Sequence, residues 1–324
     1  MSERVKQRPL VVTVAITCYN QAHFLGEAIE SVRRQSYPHH EIVVVDDGSP
    51  RDDPSAVAAR FPEVKFIRQE NQGVSAARNR GWREGGGTYV VFLDADDRLL
   101  PDALRHGVEA FAGQSEECAF VFGHAARIDA GGSPAAGEPA WVKNGNDYYA
   151  AMLRHNYIWM PAMVMHRRAV LNETGGFDTA ADHSGDFEFH LRVTRSHPVH
   201  YHGQTVAEYR MHGTQTSHKA DLMLKNTLAV YRLQREYIRG SGQRRKAYKE
   251  GLKFFRHLYG EQLVGKIRTQ SRTAGERQRM AEGALLLLRH CPKVFLYHLY
   301  RKLYCTVFRI KEQEQDKLPS EILP

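Results

Sequence analysis

Three short stretches of the chain set polar and acidic residues directly behind apolar runs. Thr17-Cys18-Tyr19-Asn20 follows VTVAI, Asp46-Asp47-Gly48-Ser49 follows EIVVV, and Asp94-Ala95-Asp96-Asp97 follows YVVFL. Carboxylates packed this closely repel one another, so the 94–97 cluster implies a compensating positive charge. Mg²⁺ and Mn²⁺ prefer oxygen ligands and commonly combine one or two carboxylates with substrate phosphates. The chemistry that follows is a nucleotide site: Asp46 accepting hydrogen bonds from a base or ribose, Asp94 and Asp96 holding a divalent ion that binds a diphosphate. The positive end of the following helix would share in the neutralisation. The same residues also read as exposed turns or helix caps, with Asp97 or Asp102 capping a helix at Pro101. An EF-hand is excluded, because Arg98 falls where a ligand is needed. Phosphate-cradling loops are absent: no GxGxxG follows the first apolar run, and GxxxxGK[ST] occurs nowhere. That weakens hydride transfer on a dinucleotide and P-loop hydrolysis.

Such groups need a scaffold that brings distant loops to one rim. The first half of the chain alternates in the required way. Residues 10–16, 41–45, 64–68, 89–93 and 119–122 read as buried strands rich in β-branched residues. Between them, residues 23–35, 74–84 and 101–112 carry apolar positions at helical spacing, closed by Tyr37-Pro38 and by Gly85-Gly86-Gly87. Strands alternating with helices imply an α/β fold with a doubly wound, mostly parallel sheet. Ligands in such sheets bind beyond the carboxyl ends of the strands. Residues 129–146 read as a loop, 186–196 as a helix and 206–211 as a short strand. Helical patterns dominate beyond residue 221. The expected division is 1–220, with a nucleotide-binding half at 1–125 and an acceptor half at 126–220, followed by a helical region at 221–324.

Composition bounds the class. With 324 residues, 42% of them hydrophobic and 25% charged, the chain suits a soluble globular protein with a sizeable core. Its four cysteines follow no CxxC spacing, which argues against a zinc site or disulfide framework and fits a reducing, cytoplasmic compartment. The N-terminal apolar stretch is short and reads as a first strand, not a signal peptide. No run of about 18 apolar residues suggests a membrane span.

The blocks VTVAITCYNQAHFLGEAIESVRRQSYPHHEIVVVDDGS, ENQGVSAARNRGW and GTYVVFLDADD closely resemble family 2 glycosyltransferases of GT-A fold. GGFDT, SGDFEFHLRV and YRMHGTQTS resemble that family's later segments, so the likeness covers about residues 10–218. It implies an inverting, metal-dependent transfer of a sugar from a nucleotide-diphosphate donor, with a UDP-sugar as the donor it points to. The acceptor it implies is a glycan, a lipid-linked saccharide or another cell-envelope component. Residue by residue, Asp96 matches the principal Mn²⁺ or Mg²⁺ ligand and Asp94 the residue nearer ribose and diphosphate. Thr17 and Tyr19 match positions lining the base, and Asp46 the carboxylate facing it. Asn71 and Arg78 match positions that reach the nucleotide, though Arg78 could equally be the partner that fixes Asp94. Asp186 matches the catalytic base, which removes a proton from the acceptor hydroxyl. Family members usually carry Glu-Asp there. This chain has Gly185-Asp186, so Asp182 or Glu188 could stand in, and Asp186 could instead cap its helix. His212 could complete the metal shell, touch the diphosphate, or be a loop histidine. Cys18 reads as a small buried residue, and the other histidines suggest no shared site. The rival readings are a nucleotidyltransferase, whose Gly-rich basic loop TCYNQAHFL lacks, and a non-catalytic module.

Charge is uneven along the chain. Residues 239–311 hold 18 Lys/Arg against four Glu and no Asp, a net +14, which leaves −6 on the rest of a chain that sums to +8. KVFLYHLYRKLYCTVFRIK, residues 293–311, lines Leu296, Leu299, Tyr300, Leu303, Tyr304 and Val307 along one helical face. A basic, aromatic amphipathic helix is a candidate for peripheral contact with the inner face of an anionic membrane. The alternative is packing on the catalytic region. Nucleic acid is not expected as a partner, because no reading motif accompanies the charge.

Overall fold

The computed structural model describes residues 10–136, 147–213, 215, 219–269 and 274–307. The chain forms two compact units, Met1–Gln215 and Thr216–Pro324.

In the first unit the apolar runs become strands because both of their faces are covered. Every residue of β1 (Val12–Cys18) is buried, as are the last five of β2 (His40–Asp46). Continuous apolar runs of this kind suit a parallel strand with helices above and below. Between them, α1 (Ala22–Arg33) buries Leu25, Ala28, Ile29 and Val32 along one stripe. The short α2 (Pro54–Ala58) begins on Asp53, whose carboxylate accepts from Ser55 N and Ala56 N, and it leads into β3 (Val64–Arg68). Helix α3 (Val74–Glu84) crosses to β4 (Tyr89–Asp94). A two-residue β5 (Arg98–Leu99), α4 (Ala103–Ala112), β6 (Phe120–Ile128) and α5 (Tyr148–Arg154) follow. A 3-10 turn at Pro161–Met163 opens β7 (Val164–Arg167), then α6 (Arg168–Thr174). A second 3-10 stretch, Thr179–Ser184, enters α7 (Gly185–Thr194), and β8 (His200–Arg210) closes the unit.

The eight strands form one sheet in the order β3-β2-β1-β4-β7-β6-β8-β5. β1 pairs in parallel with β2 and β4, β2 with β3, and β6 with β8. β7 runs antiparallel between β4 and β6, and β5 antiparallel beside β8. The sheet is therefore mostly parallel, as expected. The sequence reading had not separated β5 or β7, and it began β8 six residues late.

Register sets the chemistry. Cys18 lies opposite Asp46, Thr17 opposite Asp94, and Asp46 opposite Arg68. These polar ends make one row across four strands spaced about 4.8 Å apart.

The second unit is helical: α8 (Ala220–Leu233), α9 (Gly242–Thr269), α10 (Ala274–His290) and α11 (Pro292–Val307). Its core gathers Leu224, Leu228, Leu263, Leu287, Cys291 and Val294. Among the described residues, no helix is long and apolar enough to cross a membrane.

Candidate active site

The site is built on the carboxyl ends of β1, β2 and β4. Asp94, last residue of β4, accepts from Thr17 Oγ1 at 2.9 Å and from Arg78 Nη2 at 2.9 and 3.0 Å on its two oxygens. Arg78 is buried on α3, and its guanidinium stands 5.7 Å from the Phe177 ring centroid. Burial opposes the Arg78 charge, but Asp94 and Asp186 outweigh it and hold the guanidinium protonated.

The remaining aspartates of the cluster are handled separately. Asp96 is buried; its Oδ2 accepts from Gln21 Nε2 at 2.8 Å and lies 2.8 Å from His212 Nε2. The His212 ring also lies 5.3 Å from that of Phe24. Asp97 is buried, and Asp96 and Asp94 add to the burial in holding its carboxyl well above the usual range; its Oδ1 accepts from Arg210 N at 2.9 Å. Arg210, among the most buried side chains of the unit, reaches through the loop. It donates to Asp96 O at 2.8 Å, Ala130 O at 3.0 Å and Glu27 Oε2 at 2.7 Å, and lies 4.8 Å from the Phe24 centroid. The acidic knot is thus made tolerable in the first place by the chain's own groups: a guanidinium on Asp94, an imidazole and an amide on Asp96, and a depressed acidity at Asp97.

On the neighbouring tip Asp46 is fully buried. Its Oδ1 accepts from Ser49 N at 3.0 Å and Ser49 Oγ at 2.6 Å, whereas its Oδ2 has no hydrogen-bond partner; Arg68 Nη1 stands 3.3 Å away. Asn20 N donates to Ser49 Oγ at 2.8 Å, and Asn20 takes a positive φ of 56°, which asparagine tolerates better than most side chains. Its buried Nδ2 also lacks a hydrogen-bond partner. A buried donor without a hydrogen bond, beside a buried carboxylate oxygen held only by its ion pair to Arg68, is unusual at one rim and suits a ligand's polar edge. Asp47 instead accepts from Gln69 Nε2, Gln72 N and Gly73 N at 2.8–3.0 Å, fixing the entry to α3. Gly48, at φ 73°, passes so close to Gln69 O and Asn71 N that a Cβ would meet both at 3.0 Å. Asn71 turns its Nδ2 to Asp47 O at 3.0 Å. Tyr19 stands exposed beside the rim. Burial among acidic neighbours pushes the Cys18 thiol up to about 12, so it is no nucleophile.

Asp186 sits in the first turn of α7, where Ser184 and not Asp186 is the N-cap residue; its Oδ1 accepts from Phe187 N at 2.8 Å. Burial raises its pKa above the ordinary carboxylate value, and the Arg78 charge works against that rise. Arg78 therefore ties Asp94 by contact and Asp186 by field. Glu188 is taken by Arg192, which grips both its oxygens at 2.9 and 3.0 Å and also donates to Thr174 O and Gly176 O. The Asp182 side chain lies outside the described residues. A Cβ at Gly185 would meet Ser75 Oγ at 2.3 Å, so any larger residue there must first turn that hydroxyl away.

The structure thus brings Thr17, Arg78, Asp94, Asp96 and His212 to one rim, sets Asp46 and Tyr19 beside them, and turns Asn71 into the loop. Sequence reasoning placed Asn20 and Asp47 at the rim without a role for either, and missed Gln21 and Arg210. Arg210 carried a usable signal, since it stands at a strand end two residues before His212. Among the described residues no three His, Cys, Asp or Glu side chains form a ready cage for a metal. A carboxylate and an imidazole at Asp96 and His212 still suit a hard cation completed by diphosphate oxygens.

The sequence model described as glycosyl transferase family 2 matches residues 13–173. Chondroitin synthase from Escherichia coli is 27% identical over 234 residues, 71% of this chain and 33% of that protein. An uncharacterized glycosyltransferase of Rickettsia felis is 27% identical over 229 residues, 66% of this chain and 37% of its own length. The chain therefore spans about a third of the length of these relatives. Among solved structures, mannosyltransferase PcManGT from Pyrobaculum calidifontis, in complex with GDP-Man and Mn²⁺, superposes with a TM-score of 0.56 at 20% identity, over 94% of this chain and 89% of that one. S. aureus TarS 1-349 in complex with UDP gives 0.52 at 13% identity, over 95% and 78%. At these identities the likeness shows a shared GT-A-type fold.

Proposed function

The chain belongs to glycosyl transferase family 2, and from that premise we propose that it transfers a sugar, with inversion, from a nucleotide-diphosphate donor to an acceptor hydroxyl. The observation that carries the reading is the single rim on which Asp46, Asp94 and Asp96 stand, with Arg78 joined to Asp94 and electrically to Asp186. Complexes of structural neighbours with UDP, and with GDP-Man and Mn²⁺, support the donor class.

In this reading residues 1–125 hold the donor, 126–220 the acceptor, and the catalytic unit precedes a helical region at 221–324. Asp46 Oδ2, which carries an ion pair to Arg68 but no hydrogen bond, takes an N–H of the base, with Tyr19 and Thr17 along its side; a uracil edge suits this acceptor, so UDP-sugar is the donor we favour. Asp94 faces the ribose and diphosphate, and Arg78 keeps it in place. Asp96, with His212 beside it and Asp94 as the second carboxylate, would hold Mn²⁺ or Mg²⁺. That ion, when bound, supplies positive charge to a departing diphosphate. Asn71 fixes the loop that approaches the nucleotide. Asp186 is the base: a carboxylate at a helix start, its pKa raised by burial and held back in part by Arg78, that takes the proton from the attacking hydroxyl. The acceptor is a glycan or lipid-linked saccharide, and the setting is cytoplasmic, with peripheral membrane contact.

The test is to incubate the full chain with UDP- and GDP-sugars and Mn²⁺ and to measure nucleotide binding and release of the nucleoside diphosphate. Asp96→Ala should lose Mn²⁺-dependent nucleotide affinity. Asp186→Asn should bind the donor normally and lose at least about a hundredfold in transfer, the usual contribution of a positioned base. Full Mn²⁺-dependent affinity in the first, or near-normal turnover in the second, refutes the assignments.

A further inference from the structure

Helix α11 has two apolar faces, and the helical unit uses only one of them. Cys291 and Val294 belong to the core cluster, with Phe295 packed against it. On the same side His298 Nε2 lies 2.9 Å from Glu261 Oε2 on α9. With 3.6 residues per turn, Leu296, Leu299, Tyr300 and Leu303 fall on the opposite side. They are exposed by 54, 43, 44 and 58%, a continuous stripe over two turns. Lys293 is exposed at the edge of that stripe, and Lys302 is exposed one turn past His298. The adjoining α10 also turns Leu285 and Leu288 outward, exposed by 66 and 49%.

We infer that α11 is a membrane-docking helix whose Leu296, Leu299, Tyr300 and Leu303 stripe sinks into the interfacial layer of an anionic bilayer, with Lys293 and Lys302 on the lipid phosphates. Three observations select this occupant. The stripe lies away from the helix's own core contacts, so it is not the packing face. Residues 239–311 carry a net +14, which complements an anionic lipid surface and opposes docking of a second copy of the same basic region. The described helices are too short or too polar to span, which leaves the helix lying in the interface plane. A tyrosine within the stripe suits the boundary between hydrocarbon and headgroups, where an apolar body and a polar tip are both satisfied. The inference extends the proposal of a lipid-linked acceptor by placing the enzyme on the surface where such an acceptor is found. The docking itself does not depend on any sugar chemistry.

The experiment is co-sedimentation of the full chain, without donor, on vesicles of phosphatidylcholine alone or with about a third phosphatidylserine. Leu296→Gln/Leu299→Gln/Leu303→Gln keeps good helix formers at exposed positions; Lys293→Gln/Lys302→Gln removes both lysine charges. Folding of each variant is checked by circular dichroism. The wild-type chain should bind anionic vesicles, weaken with added salt, and bind neutral ones poorly. The triple variant should lose at least about tenfold in partitioning, and the double lysine variant roughly fivefold per charge removed. A triple variant that binds as well as wild type overturns the inference, as does a wild-type chain that ignores anionic vesicles. Self-association in solution that the triple variant abolishes, without vesicle binding, assigns the stripe to a second copy and also overturns it. UDP release from UDP-sugar in the absence of vesicles reports the catalytic reading separately.

Discussion

Beneath Asp186, one helical turn along α7, His190 stacks on His166 of β7, with ring centroids 5.6 Å apart and planes within 3°. Both side chains are buried among Phe92, Phe120 and Phe189. Neither nitrogen of His190, nor Nε2 of His166, has a hydrogen-bond partner. Burial therefore pushes His190 down to about 3 and His166 well below its ordinary value. In the folded state both stay neutral across mildly acid pH, while in the unfolded chain both take up a proton near 6.5. The unfolded state then binds two more protons than the native one, so stability falls as pH falls. The loss starts at about 6.5, continues toward the folded values, and is absent above 6.5. Two protons correspond to about 2.7 kcal/mol per pH unit once the unfolded imidazoles are fully charged, and to about 3 kcal/mol between pH 6.5 and 5, against a total of roughly 5–15 kcal/mol. Asp97 and Asp186, whose acidity is depressed in the fold, act in the opposite sense. The informative quantity is therefore the difference between wild type and variants. All three tryptophans, residues 82, 141 and 159, lie in the first unit, so urea unfolding followed by tryptophan fluorescence reports that unit alone. His190→Phe and His166→Phe keep an aromatic in place, and each should flatten the acid slope by about one proton. If both variants retain the wild-type slope between pH 6.5 and 5, the pair is not held neutral and the reasoning fails.

Arg210→Met keeps much of the apolar stem but removes the donors to Asp96 O and Ala130 O. Two charge-assisted bonds at about 1.5–3 kcal/mol each put the loss near 3–6 kcal/mol, with nothing added for the half-exposed Glu27, which rehydrates. For a unit of this size that is about 10 °C in Tm, and a shift under about 3 °C by calorimetry contradicts the clamp. Arg78→Gln strips the counter-charge from Asp94, which is only 29% exposed, at about 3 kcal/mol. Because the Arg78 charge opposes the burial that raises Asp186, the same variant should move the acid limb of transfer activity to higher pH. A limb that stays in place or moves lower contradicts the coupling.

What the sequence disclosed depended on whether a pattern was local. β1, β2 and β4 were legible because strands covered on both faces need continuous apolar runs, and α1 and α3 because their buried positions recur at helical spacing. β7 was not legible. It is four residues long, VMHR, and becomes a strand only by pairing with β4 on one side and β6 on the other. The strand-tip aspartates announced themselves by following apolar runs. Their partners did not, since Arg210 arrives from 113 residues beyond Asp97 and Gln21 from 75 residues before Asp96. The histidines looked unrelated in the sequence, yet the fold stacks two of them 24 positions apart. No spacing rule anticipates a contact between a strand and a helix.

Helix α3 explains why the family-like pattern can change at 185 without dispersing the site. One face of it serves three neighbours. Arg78 holds Asp94 on the donor side. Asn79 donates to Phe177 O at 2.7 Å and accepts from Phe177 N at 2.9 Å, pinning the turn at Gly176, whose φ of 81° brings it so near that a Cβ would meet Asn79 Oδ1 at 2.3 Å. Ser75 abuts Gly185 at the start of α7. The position of Asp186 is therefore set from α3 through close backbone approach, and a residue preceding it need not contribute a side chain. An acidic neighbour at 185 would add a third carboxylate to a first turn that already holds Asp186 and Glu188. In this chain the turn is kept narrow instead, with Glu188 neutralised by Arg192 and Asp186 left as the one acidic side chain of that turn within the field of Arg78.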